Sequence, residues 1–159
     1  MAAQNDTDKV WDLMKKISIC MLTTYDGKEL RSRPMGAYLR REEDTIYFLT
    51  DVKNHKDDEI REYPHVNCAF ANASDQKYVS LTGKAVVTND RIKIKELWGP
   101  IAKAWWSSPD DPNIRLLKVT PNDAEYWESP GTVVSYVKML AAAVSDTRPA
   151  IGENKKVAL

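Results

Sequence analysis

Between Asp8 and Ile17 the apolar residues Val10, Leu13, Met14 and Ile17 recur at i, i+3, i+4 and i+7, the spacing of one helical face. This predicts an amphipathic first helix, with Asp6, Thr7 or Asp8 available as its cap. The pattern then changes to β-branched and aromatic runs. Ile19 to Tyr25, the dipeptide Asp26-Gly27 and the run from Leu30 onward predict a hairpin, because Asp-Gly suits the positive φ of a tight turn. Its strands fall at 18–25 and 29–40. Arg41 to Asp44 is a solvated turn before a third strand at Thr45 to Leu49. A short helix follows from Lys56 to Tyr63, stopped by Pro64.

Val66 to Ala73 and Tyr78 to Thr88 form a second expected hairpin around Ser74-Asp75-Gln76. Asn89-Asp90 can cap a helix carrying Ile92, Ile94, Leu97 and Trp98. Pro100 to Trp106 reads as a further helical piece, ended by the turn chemistry of Ser107 to Pro112. A long strand spans Ile114 to Trp127, interrupted at Pro121-Asn122-Asp123 by a bulge or tight turn. Thr132 to Val144 reads as a helix with Val133, Tyr136, Val137 and Leu140 on one face. The polar tail from Arg148 to Leu159 is expected to be loose.

Six strands at short spacings, with helices inserted rather than alternating, predict a mainly β, antiparallel six-stranded barrel with flanking helices. A dinucleotide-binding fold is disfavoured, and GxGxxG is absent. The 159 residues suit one domain, taken as 1–146, with 147–159 as a tail.

Lys plus Arg and Asp plus Glu each total 23, which removes the basic excess of a nucleic-acid binder. The N-terminus lacks a signal-peptide plan, and no apolar run approaches the ~20 residues of a membrane span. A soluble, cytoplasmic protein is expected. Cys20 and Cys68 sit in apolar strand-like runs without a CxxC spacing, so both are expected to be buried and inert. The two histidines, His55 and His65, do not suggest a metal site. GxSxG and HExxH are absent too, so chemistry, if any, should come from a cofactor.

Candidate chemistry concentrates between Arg31 and Lys56. Arg31 and Arg33 alternate, so period two places them on one strand face. A charged face is ordinarily the wet side of a sheet, but here Thr50 ends the next strand, and Lys53-Asn54-His55-Lys56 follows it. Cations and a hydroxyl at adjoining strand ends give strong charge-assisted hydrogen bonds to phosphate. Asn54 can cap the helix beginning near Lys56, and a helix start itself attracts phosphate.

From Asp8 to Asp146 the chain resembles the general stress protein 26 branch of the pyridoxamine 5′-phosphate oxidase-like flavoproteins. Five ordered segments carry the likeness: Leu30 to Met35, Phe48 to Asp51 with Lys56 beyond, Val79 to Ala85, Ala104 to Pro112, and Ala124 to Trp127. The resemblance implies an FMN-binding split β-barrel, a homodimer with flavin at the subunit interface, and an unknown small-molecule substrate. By position, Arg31 or Arg33 and Lys56 would meet the FMN phosphate, with Leu49, Thr50 and Asn54 at the strand end. Ser32, Arg33, Pro34 and Met35 would border the flavin ring, Tyr78 would approach it, and so would one of the pair Trp105 and Trp106. Core or interface packing is the competing role for Trp105 and Trp106, and packing is the role expected of Trp11, Trp98 and Trp127.

The departures are informative. Where pyridoxamine phosphate oxidases proper carry arginine before the phosphate lysine, this chain has His55. Tyr78 stands at their flavin-facing glutamine, and their C-terminal arginine- and histidine-containing motif has no counterpart between Ser135 and Leu159. These differences argue against vitamin B6 oxidation. An FMN-dependent oxidoreductase is the first expectation, a noncatalytic flavin-binding or storage module the second, and a split barrel using F420 or haem the third. Haem would require an axial His, Cys or Met.

Overall fold

The computed structural model describes residues 2–54, 56–130, 132–145, 148 and 152–159. Within them one antiparallel sheet contains β1 (Ile19–Tyr25), β2 (Leu30–Gly36), β3 (Tyr38–Arg40), β4 (Thr45–Asp51), β5 (His65–Asn72), β6 (Lys77–Thr88), β7 (Ile114–Glu128) and β8 (Glu153–Ala158). The order is β2-β1-β5-β6-β7-β4-β3, and β8 pairs with β7. The two ends of this path, β2 and β3, are joined through Ala37 alone, whose N–H donates to Ser18 O at 2.9 Å. That junction curls the sheet into the expected split barrel. The strand expected over 29–40 is therefore two strands, because its first part pairs with β1 and its last three residues pair with β4.

The tail is the clear correction. Residues 153–158 are not loose but form β8, registered from Asp123↔Ala158 to Glu128↔Glu153. Val157 is buried at 7% exposure. Lys9 bridges Glu128 at 2.7 Å and Glu153 at 2.6 Å, while Lys155 reaches Glu153 at 3.0 Å and Asp6 at 3.3 Å. One apolar anchor and a charge network hold a segment whose composition is otherwise polar.

The helices are α1 (Ala2–Ile17), α2 (Lys56–Glu62), α3 (Arg91–Leu97), α4 (Pro100–Lys103) and α5 (Thr132–Ser145). Helix α1 extends back past Asp6, Thr7 and Asp8, which therefore lie inside it and do not cap it. Asp90 does cap α3, accepting from Lys93 N at 3.0 Å. The irregularity in β7 is a bulge: Thr82 faces Asp123, Gly83 faces Pro121, and Asn122 is the extra residue. Only glycine fits at 83, since a Cβ there would lie 2.6 Å from Thr120 O.

Strand β4 is buried on both faces. Ile46 and Phe48 point into the barrel interior with Leu22, Phe70, Leu81, Leu117 and Tyr126, which α1 covers with Val10, Trp11 and Met14. Tyr47 and Leu49 point the other way, into a second cluster with Ile94, Leu97, Ala102, Ile114 and Leu116, against which Trp98 and Trp106 pack in part. Trp127, expected to pack, remains 37% exposed. Cys20 and Cys68 are buried in the barrel interior. The hydrogen bond that the Cys68 thiol makes to Cys20, then burial, raises the Cys68 thiol pKa well above its ordinary value. Among the described residues no helix is long and apolar enough to cross a membrane.

Candidate functional site

A cavity of about 500 Å³ opens where the second cluster stops filling space, between the end of β2, the end of β4 and α4. That volume is typical of small-molecule sites. Its lining includes Arg33, Pro34, Met35, Leu49, Thr50 and Asn54, with Trp106 opposite. Seven of the residues singled out in the sequence thus converge. Period-two alternation on β2, the strand end of β4 and the short turn after it bring them together.

Arg31 and Arg33 share a face as expected, opposite Thr24 and Leu22 of β1, but their surroundings differ. Arg31 turns back onto the hairpin: its Nε donates to Asp26 at 3.1 Å and its Nη2 to Glu29 at 3.1 Å. Asp26 gains main-chain hydrogen bonds from Glu29 and Lys28 as well as the Arg31 contact, and its pKa is held down to about 2. Arg31 is thus absorbed by the turn and does not line the cavity. Arg33 does line it, and its Nη1 donates to the buried Thr24 hydroxyl at 2.6 Å. Thr24 in turn donates to Glu59 of α2 at 3.4 Å. Burial lowers the Arg33 pKa, as expected for a cation withdrawn from water, while Glu59 partly restores it.

Other predicted residues fall elsewhere. Ser32 and Tyr78 lie on the outward face of the sheet: Ser32 contacts Thr23 at 2.6 Å, and Tyr78 stands opposite Ala71 and Trp127. Lys56 opens α2, two positions beyond Asn54, but its side chain and all of His55 lie outside the described residues. Trp105, weighed with Trp106 as stacking or packing surface, also lines the cavity, and Gly36, Tyr38, Asp51, Lys53, Ile101 and Ala102, not singled out as site residues, complete the wall. The spacing 101, 102, 105, 106, four residues of one helical face and turn, was the available signal. Asp51 organises this side, accepting from Trp106 Nε1 at 3.3 Å and from the Lys53 N–H at 2.9 Å. Tyr38 is half-buried, and burial raises its pKa, so its hydroxyl stays protonated.

Strand β2 pairs with β1 along one edge and ends the sheet path, so its other edge carries main-chain groups alongside the cavity. A half-buried guanidinium, a main-chain edge and aromatic walls can together hold a flat molecule bearing an anionic group. The protein is thus a split barrel with a cavity of small-molecule size at its rim.

The profile of the Pyridoxamine 5'-phosphate oxidase like family matches residues 5–150, and the chain belongs to that family. It is 27% identical over 128 residues to general stress protein 26 of Bacillus subtilis (strain 168), covering 77% of this chain and 89% of that protein. The crystal structure of a candidate general stress protein 26 from Jannaschia sp. CCS1 has a TM-score of 0.77 at 24% identity, with 100% of both chains covered. The general stress FMN/FAD binding protein of Xanthomonas citri has a TM-score of 0.68 at 25% identity, covering 76% of this chain and 87% of that one.

Proposed function

We propose that the protein binds FMN in the Arg33 cavity and acts as an FMN-dependent oxidoreductase of the general stress protein 26 class, with the flavin near a homodimer interface. The observation that carries this is Arg33, a half-buried cation in the wall of a cavity that also holds the polar Thr50, Lys53 and Asn54 and the apolar Leu49, Ile101, Trp105 and Trp106. Arg33 and Lys56 would hold the phosphate, with Thr50 and Asn54 beside them. Leu49, Trp105 and Trp106 would exclude water from the ring, and the β2 edge from Pro34 to Gly36 would orient it. FMN, when bound, supplies the electron transfer.

The outward face of the sheet supports the dimer. Ile19 and Met21 are 59% and 41% exposed there, beside Ala69, Tyr78 and Trp127. Hydrogen bonds between Thr23 and Ser32, Asn67 and Ser80, and Thr82 and Asp123 satisfy the polar rim within the face. Pro34 and Gly36 belong both to this face and to the cavity, so a second copy seated on it would extend the site and bring in Ser32 and Tyr78.

The decisive experiment is an absorbance spectrum of the protein as isolated and after addition of FMN, with mass spectrometry of released ligand. A flavin spectrum is expected; an F420 or haem spectrum, or none, would refute the assignment. Turnover of the loaded protein with NADH or NADPH separates the oxidoreductase from a storage module.

A further inference from the structure

Along β1 the inward positions are Cys20, Leu22 and Thr24, and all three are buried. Period two puts the third among the same apolar neighbours as the first two. A hydroxyl buried there costs free energy unless it finds hydrogen-bond partners.

The cation opposite Thr24 in the strand pairing is not the one it holds. Arg31 faces Thr24, but Asp26 and Glu29 take up its guanidinium. Arg33, which faces Leu22, leans two residues along the strand instead, and its Nη1 donates to Thr24 Oγ1 at 2.6 Å. A guanidinium only donates, so the hydroxyl must accept from it and direct its single proton elsewhere. That proton goes to Glu59 Oε2 at 3.4 Å, and a carboxylate only accepts. The direction from Arg33 through Thr24 to Glu59 is therefore fixed by the chemistry of its two ends.

Glu59 is itself held in place. It lies in the middle of α2, and the next residue, Ile60, is buried in the barrel interior. Tyr63, just past the helix, donates its N–H to Glu59 O at 2.8 Å and meets the Tyr25 ring of β1 edge-on, with 4.9 Å between centroids. The same helix opens with Lys56, the second phosphate contact proposed above. Among the described residues Thr24 is the one hydrogen-bond partner of the Arg33 guanidinium, whose other N–H groups remain open to a ligand in the cavity that Arg33 lines.

We infer that Thr24 and Glu59 are positioning residues that hold the Arg33 guanidinium ready for a phosphate monoester in the cavity, an inference that rests on the FMN reading above. An untethered arginine gives up its rotamer freedom when a ligand arrives, whereas one already held at Nη1 has less to lose. The relay therefore favours ligands that carry the phosphate and leaves the ring to the other walls.

The test compares FMN with riboflavin, which has the same ring and lacks the phosphate. Thr24→Val keeps the shape of the side chain and removes the hydroxyl; circular dichroism checks that it folds, and Thr24→Ala is held to the same outcomes if it does not. Loss of the relay should raise the FMN Kd by about tenfold and leave the riboflavin Kd unchanged. Thr24→Ser, which keeps the hydroxyl, should recover most of that loss. In a chain already carrying Arg33→Ala, Thr24→Val should add nothing, because both act through one contact. An FMN Kd unchanged in Thr24→Val, equal losses for FMN and riboflavin, or full additivity with Arg33→Ala each overturns the relay and leaves the cavity reading standing. A wild-type protein that binds neither FMN nor riboflavin overturns the cavity reading and the relay with it.

Discussion

The two sides of β4 are built from neighbouring residues and end differently. On one side Ile46 and Phe48 enter an interior closed by strands all round and by α1; on the other Tyr47 and Leu49 enter a cluster closed only by α3, α4 and the turn to Trp106, and space remains. A barrel interior must fill itself, because every side chain there has neighbours in all directions. The outer side is covered by short helices that need not meet the strand along its whole length. The site lies where packing stops, and the packed side keeps its strand still.

Deleting the ring at Phe48 is the strongest way to break this contrast. Phe48→Ala should destabilise the fold by about 3–5 kcal/mol, measured by denaturant unfolding. Leu49→Ala, one residue on, should cost about 2 kcal/mol because its surroundings are already open, and should also change FMN affinity. Equal stability losses with unaltered affinity would mean the two sides are not distinct.

Next comes the pair on β2. Arg33→Ala should weaken FMN binding by roughly 1.5–3 kcal/mol, the worth of hydrogen bonds to a charged group, whereas Arg31→Ala should leave the titration unchanged because the hairpin carboxylates occupy that side chain. An effect of Arg31→Ala as large as that of Arg33→Ala would move the phosphate site to the hairpin.

The smallest effect concerns the clamp that holds β8 over the closed side. Hydrogen bonds from Lys9 and then Lys155 lower the Glu153 pKa from 4.5 to about 2. Its folded value lies below its unfolded value, so its contribution is complete above pH 4.5 and is lost as pH falls toward about 2. Glu153→Gln should flatten the fall in Tm across that window, and hydrogen exchange should locate the loosening in β8.

The barrel was legible because its strands announce themselves: β-branched runs, Asp26-Gly27 between them, and Asn89-Asp90 before α3. The bulge at Asn122 showed in the proline beside it. Strand β8 was hidden because Glu153 to Ala158 has one inward apolar residue, Val157, and its strand character comes from pairing with β7 rather than from its own pattern. Equal spacing could not separate Arg31 from Arg33, since the difference lies in what the turn acids capture. The face of α5 was visible as apolar, but periodicity does not say which body an apolar face meets.

Strand β7 pairs with β6 along nearly its whole length, with β4 through its first half and with β8 through its second. It is therefore the stave that shuts the barrel, and it lies more than sixty positions after β4 begins. Chain closure over such separations is slow. On the ribosome the earlier hairpins must wait, unsealed, until residues 114–128 emerge, and that interval is when this protein most needs shelter from its neighbours.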